Sequence, residues 1–248
     1  MFWDMRFLAR RNGLTEYGRK YVRFPASLAY GPAGRTFNGL TGIAGAVVIA
    51  LALILGLNAP AQAAERRILA LGDSLTAGYG LPAEDGFTAR LEAALKAAGV
   101  PATVVNGGVS GDTSAGGLAR VDWLMAEKPD LVIVELGAND ALRGLEPEDT
   151  RRNLDAVIER IRKAGAAVLL AGMKAPPNLG REYGDDFNRV FPELAKRHKV
   201  ALYPFFLDGV AADPALNQAD GIHPNAKGVS VIVERMLPAV LRALGEQG

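Results

Sequence analysis

From position 67 onward the chain alternates short apolar runs with stretches in which apolar residues return every three or four positions. That is the pattern of strands alternating with amphipathic helices. Five runs read as strands, at 67–71, 102–106, 131–136, 166–171 and 201–203. Their leucine and β-branched content, with little polar alternation, suits strands buried on both faces. The intervening stretches predict helices at about 87–98, 114–128, 147–164, 185–199 and 225–244, with Gly99, Gly165 and Gly245 placed where helix C-caps belong. The order βαβαβαβαβα predicts an α/β fold: a doubly wound, three-layer α/β/α sandwich with a five-stranded parallel sheet of the flavodoxin-like kind. Such sheets bind ligands beyond the carboxyl ends of their strands.

The pattern breaks once, near the start. Residues 40–57, LTGIAGAVVIALALILGL, are uncharged and almost wholly apolar, and the small-residue run Ala61-Gln62-Ala63 follows them. With a basic stretch before it, this segment reads as a secretory signal cut before Ala64. The alternative is an uncleaved anchor, since 18 apolar residues just span a bilayer. Residues 1–39 are longer than an ordinary n-region, and Arg10-Arg11 lies too far from the apolar run for a twin-arginine signal. The organisation expected is therefore a leader over residues 1–63 and one globular domain over 64–248, exported and either periplasmic or secreted. Membrane contact is expected only through the leader, if it stays attached.

Charge follows the same division. Residues 1–39 carry seven Lys/Arg against two Asp/Glu, whereas residues 64–248 carry 21 against 25, so the overall net charge of +1 hides a mildly acidic body. No basic stripe of the kind that binds phosphate backbones is present, which argues against a nucleic-acid partner. Cysteine is absent and there are two histidines, His198 and His223, without a His-Glu-x-x-His motif, so neither disulfides nor a zinc centre is expected.

Candidate chemistry gathers where strands end. Gly72-Asp73-Ser74-Leu75 follows the first strand, placing a serine at the mouth of the sheet with its own N–H available to an oxyanion. After the second strand comes Ser110-Gly111-Asp112-Thr113, in which Gly111 can bring a bare backbone N–H to a substrate and Asp112 or Thr113 can cap the next helix. After the third comes Gly137-Ala138-Asn139-Asp140, with an amide donor. Before the last helix comes Asp220-Gly221-Ile222-His223-Pro224. Pro224 suits a first helical position there, and Asp220 can reach His223 Nδ1, leaving Nε2 to take a proton from serine. Taken singly these are a helix cap, a loop glycine, an Asx turn and a capping loop. Together they supply a nucleophile, a base, its orienter and three oxyanion donors, the parts of an acyl-transfer site. His198 follows Lys196-Arg197 at a helix end and reads as a solvated cation rather than a second base.

These four blocks resemble those of the SGNH (GDSL) hydrolase family over about 67–244. Ser110-Gly111-Asp112-Thr113, Leu142-Arg143-Gly144, Pro204-Phe205-Phe206 and Asp220-Gly221-Ile222-His223-Pro224 are similar to its branch of periplasmic multifunctional acyl-CoA thioesterases, lysophospholipases and arylesterases. The resemblance implies a serine hydrolase of small-molecule carboxylic esters and thioesters, with Ser74, Asp220 and His223 as triad. It implies Ser74, Gly111 and Asn139 as oxyanion donors, and no cofactor. Loops 141–144 and 173–183 are candidate acyl-groove walls. A carbohydrate O-acetyl esterase on the same fold and a non-catalytic lipid- or glycan-binding module are the rival readings. An α/β-hydrolase fits worse for want of Gly-x-Ser-x-Gly. A dinucleotide site at Gly78-x-Gly80-x-x-Ala83 lacks the acidic residue that should end the second strand.

Overall fold

A computed structural model describes residues 64–245; the leader, with its apolar run and Ala-x-Ala site, lies outside the described residues. Five strands, β1 (Arg66–Gly72), β2 (Ala102–Gly108), β3 (Leu131–Glu135), β4 (Ala167–Ala171) and β5 (Ala201–Tyr203), pair in parallel in the order β2-β1-β3-β4-β5. The helices are α1 (Ser74–Ala77), α2 (Phe87–Ala97), α3 (Ser114–Leu124), α4 (Ala138–Leu142), α5 (Pro147–Lys163), α6 (Arg181–His198) and α7 (Ala226–Ala243). α2 packs on α7 to form one covering layer, while α3, α5 and α6 pack side by side to form the other. This is the expected three-layer sandwich.

The central strands are buried almost without interruption: Ile68 to Leu71, Leu131 to Val134 and Leu169 to Ala171 have no exposed surface. Each long helix adds an apolar stripe, as α5 does with Leu154, Val157, Ile158 and Ile161. Gly99, Gly165 and Gly245 follow helix ends with φ of 80°, 90° and 78°.

Three boundaries differ from the sequence reading. α3 stops at Leu124 and tightens to a 3-10 turn over Met125–Glu127, which ends on Lys128 in the left-handed region. α6 begins four residues earlier than the periodicity suggests, at Arg181, after the turn Pro177–Leu179. Pro224 is not the first residue of α7. Asn225 caps that helix, its side chain accepting from the N–H groups of Lys227 and Gly228, and Pro224 instead bridges to Asn217. The short helices α1 and α4 were too brief to show periodicity.

Candidate active site

All four blocks arrive at the carboxyl end of the sheet. β1 ends at Gly72, and the chain turns at once into α1, whose N-cap is Asp73: its Oδ1 accepts the Leu75 N–H at 3.0 Å. Ser74 is therefore the first helical residue, and its N–H needs no partner inside the helix. Gly72 is obligatory here, because a Cβ would lie 2.0 Å from Thr76 Oγ1 and 2.5 Å from Glu135 Oε2.

His223 comes from the loop before α7. Its Nδ1 is 2.7 Å from Asp220 Oδ2, and its Nε2 is 2.9 Å from Ser74 Oγ, across 149 positions of sequence. Asp220 Oδ1 accepts the backbone N–H groups of Ile222 and His223 at 2.9 and 3.0 Å. The backbone N–H of His223, then its ring, then Ile222 hold the Asp220 carboxyl down at about 2, so it stays ionised across the working range. With the ring proton directed to Asp220, Nε2 is left to accept from the serine hydroxyl.

Two side chains that sequence reasoning passed over fix this loop. Gln218 donates through Nε2 to the carbonyls of Tyr79 and Pro224, and its backbone N–H donates to the His223 carbonyl, tying the histidine loop to the chain that leaves α1. Tyr79 then lays its ring against the imidazole, with centroids 4.6 Å apart.

Gly111 has φ of +84°, which suits only glycine at low cost. Among the described residues its N–H, like that of Ser74, takes no hydrogen-bond partner. The loop holding it is pinned by Arg120 on α3, which donates to Asp112 Oδ2 at 2.7 Å and to the carbonyls of Gly107 and Gly72. Thr113, rather than Asp112, caps α3.

Asn139 sits in the first turn of α4, and its Nδ2 donates to Asp73 Oδ2 at 3.0 Å and to the Asp112 carbonyl at 2.9 Å. These two acceptors hold the amide nitrogen against Ser74's turn. Asp140, buried beside it, accepts from the backbone N–H and hydroxyl of Ser114 and from Thr150, locking α4 to α3 and α5.

Beneath the site lie two buried carboxylates. Glu135 ends β3 and accepts from Thr76 Oγ1 at 2.7 Å and from the Asp73 N–H at 3.3 Å, while its Oε1 has no partner. Burial, then the neighbouring Asp73 charge, pushes its carboxyl well above the usual range. Burial pushes Asp73 up to about 6 against its hydrogen bonds from Leu75 and Asn139. A lone glutamate closing an apolar strand is a signal the sequence did offer.

A cavity of about 640 Å³ opens from Ser74 and His223. Its walls are mostly apolar, from Leu142, from Met173 to Pro177, and from Phe205, Leu207 and Ala212. The first two segments are those expected from sequence; the third, after β5, was missed. Among the described residues no cluster of His, Asp and Glu could hold a metal.

The model of the GDSL-like lipase/acylhydrolase family matches residues 70–231. The chain belongs to that family. The esterase TesA of Pseudomonas aeruginosa is 45% identical over 180 residues, 72% of this chain and 90% of that protein. The thioesterase 1/protease 1/lysophospholipase L1 of Escherichia coli K12 is 41% identical over 175 residues, 70% of this chain and 83% of the other. Among solved structures, AlinE4, an SGNH-hydrolase family esterase, superposes with a TM-score of 0.62 at 47% identity, covering 73% of this chain and 97% of that one. Family membership makes this chain an ester hydrolase.

His198 is where the sequence reading fails. It is buried, not solvated, with its Nε2 against Asp155 Oδ1 between α6 and α5. The reason is helical phase: His198 falls on the stripe of Val190, Phe191, Leu194 and Ala195 that faces the core.

Proposed function

We propose that this chain hydrolyses acyl esters and thioesters by covalent catalysis at Ser74. The observation that supports this best is the unbroken chain Asp220–His223–Ser74, at 2.7 and 2.9 Å, at the mouth of an apolar cavity. Ser74 Oγ attacks the carbonyl carbon as His223 Nε2 takes its proton, giving a tetrahedral intermediate. The N–H groups of Ser74 and Gly111 and the Asn139 amide receive its oxyanion. His223 returns the proton to the departing alcohol or thiol. Water, deprotonated by the same imidazole, then releases the acid from the acyl-enzyme. Throughout, the Asp220 carboxylate balances the imidazolium and fixes its orientation.

The cavity favours acyl chains longer than acetate, since its walls offer apolar surface well beyond the reach of a methyl group. Turnover of p-nitrophenyl esters and acyl-CoA thioesters by wild type and by Ser74→Ala tests the reading. Octanoate should exceed acetate in kcat/KM by about tenfold or more, with all turnover lost in the variant. Preference for acetate would favour the carbohydrate O-acetyl esterase, and turnover that survives Ser74→Ala would refute the assignment. We place the body outside the cytoplasm on the strength of the apolar run and Ala-x-Ala signature before residue 64. Among the described residues no helix is long and apolar enough to cross a membrane.

A further inference from the structure

Tyr79 is 54% exposed, so core packing does not fix its place. Its backbone is nonetheless tied on both sides. Gly78 and Gly80 flank it in the left-handed region, with φ of 79° and 75°, a conformation that glycine adopts at little cost. The Tyr79 N–H donates to the Ser74 carbonyl at 3.0 Å, and the Tyr79 carbonyl accepts from Gln218 Nε2 at 2.8 Å. Gln218 in turn donates its own N–H to the His223 carbonyl at 2.7 Å. Tyr79 is thereby joined to the residue of the nucleophile and, through one side chain, to the residue of the base. The ring so placed lies on the imidazole, with centroids 4.6 Å apart and planes 38° apart, nearer stacked than edge-on.

The partner of that ring is the side chain whose charge changes during the reaction. In the proposed mechanism His223 is neutral before Ser74 attacks and positive once it holds the serine proton. A cation within about 6 Å of an aromatic centroid is drawn to the negative face of the ring. The contact therefore strengthens as the proton moves, and an interaction that is stronger in the transition state than in the ground state raises kcat. Asp220 balances the same charge from the Nδ1 side, in the plane of the imidazole, while Tyr79 lies over that plane. Tyr79 also lines the cavity, so a plain wall for the acyl chain is its rival task.

We propose that Tyr79 is a positioning residue for the hydrolysis, holding the His223 ring between Ser74 and Asp220 and favouring its protonated form through a cation–π contact. The inference rests on the reading of Ser74, His223 and Asp220 as a triad, and part of its test does not require turnover. Two carboxyl groups also act on His223: Asp220 on its own loop, and Asp73 at the cap of α1. Substitution of Tyr79 leaves both in place.

Tyr79→Leu and Tyr79→Met keep apolar bulk and remove the π face, whereas Tyr79→Phe keeps the face and removes the hydroxyl. In the full chain, the two variants without a ring should lose about two- to fivefold in kcat on a p-nitrophenyl ester, with KM within about twofold of wild type, and Tyr79→Phe should retain the rate. The acid limb of kcat/KM should move down by about half a pH unit in the variants without a ring, because their imidazole gives up its proton more readily. Burial pushes Asp73 up to about 6, inside the same range, so the ring protons of the histidines are followed by NMR in parallel. The chain has two histidines, which makes His198 the internal control. The His223 titration should shift by about the same half unit without the ring, return in Tyr79→Phe, and leave the His198 curve in place. An unmoved His223 curve in a folded variant without the ring, or a raised KM with kcat unchanged, would overturn the proposal and leave Tyr79 as a cavity wall. Equal losses in Tyr79→Leu and Tyr79→Phe would also overturn it, by assigning the effect to the hydroxyl. Failure of the hydrolase reading would show separately, as absence of ester turnover by wild type with the NMR shift intact.

Discussion

The protein has two histidines, and each holds an aspartate: His223 with Asp220 on the loop before α7, and His198 with Asp155 between α6 and α5. Composition alone cannot tell these pairs apart. Surroundings do. The outer nitrogen of His223 meets Ser74 Oγ at the mouth of a cavity, with two free backbone N–H groups nearby. The ring of His198 is buried in the last turn of α6, its aspartate is shared with Arg197, and among the described residues no hydroxyl bonds to it. On the proposed mechanism the first pair moves a proton, whereas the second staples two helices. A histidine–aspartate pair becomes chemistry when its second nitrogen has a nucleophile and a place for substrate.

Substitution should separate the two pairs by orders of magnitude. Ser74→Ala should lower kcat by about 10⁶-fold with an unchanged melting temperature, read by ester turnover and calorimetry. Asp220→Asn should lower kcat by about 10⁴-fold because the imidazole loses its orienter, while Asp155→Asn leaves kcat within about twofold of wild type. Comparable losses from both would erase the distinction. Asn139→Ala should cost about 10²- to 10³-fold in kcat with little change in KM, as expected of an interaction made in the transition state.

The smaller effects fall on stability. Asp73, with its pKa raised to about 6 from an ordinary 3.8, binds its proton more tightly folded than unfolded. Its contribution is therefore full below about 3.8 and is lost as pH rises to about 6, by about 3 kcal/mol. Asp73→Asn should gain stability relative to wild type across that window in denaturant titrations, and should lose rate because an amide has one accepting oxygen for the two donors, the Leu75 N–H and Asn139 Nδ2, that the carboxylate serves. His198→Gln should cost about 1–3 kcal/mol of folding stability and leave turnover per folded molecule unchanged.

The sheet was legible because strands buried on both faces write themselves as unbroken apolar runs, and β1 to β5 were each found within two residues at either end. Ser74, Gly111, Asn139, Asp220 and His223 were legible because each follows or precedes an element that aims it at one rim. What stayed hidden was the support. Arg120 and Gln218 look like ordinary surface residues in sequence, and only the fold brings them to the carbonyls they hold. That Asn139 spends its amide on Asp73 and Asp112 depends on distances across 66 and 27 positions, which no local pattern encodes. His198 was misread because the basic residues before it suggested solvent, whereas the period of α6 turns it inward.

The most direct test is a fluorophosphonate that traps an activated serine, followed by peptide mapping of the adduct. A single adduct on Ser74 is expected, abolished by His223→Ala and retained in His198→Ala. An adduct on Ser110 or Ser114, or labelling that survives the loss of His223, would contradict it.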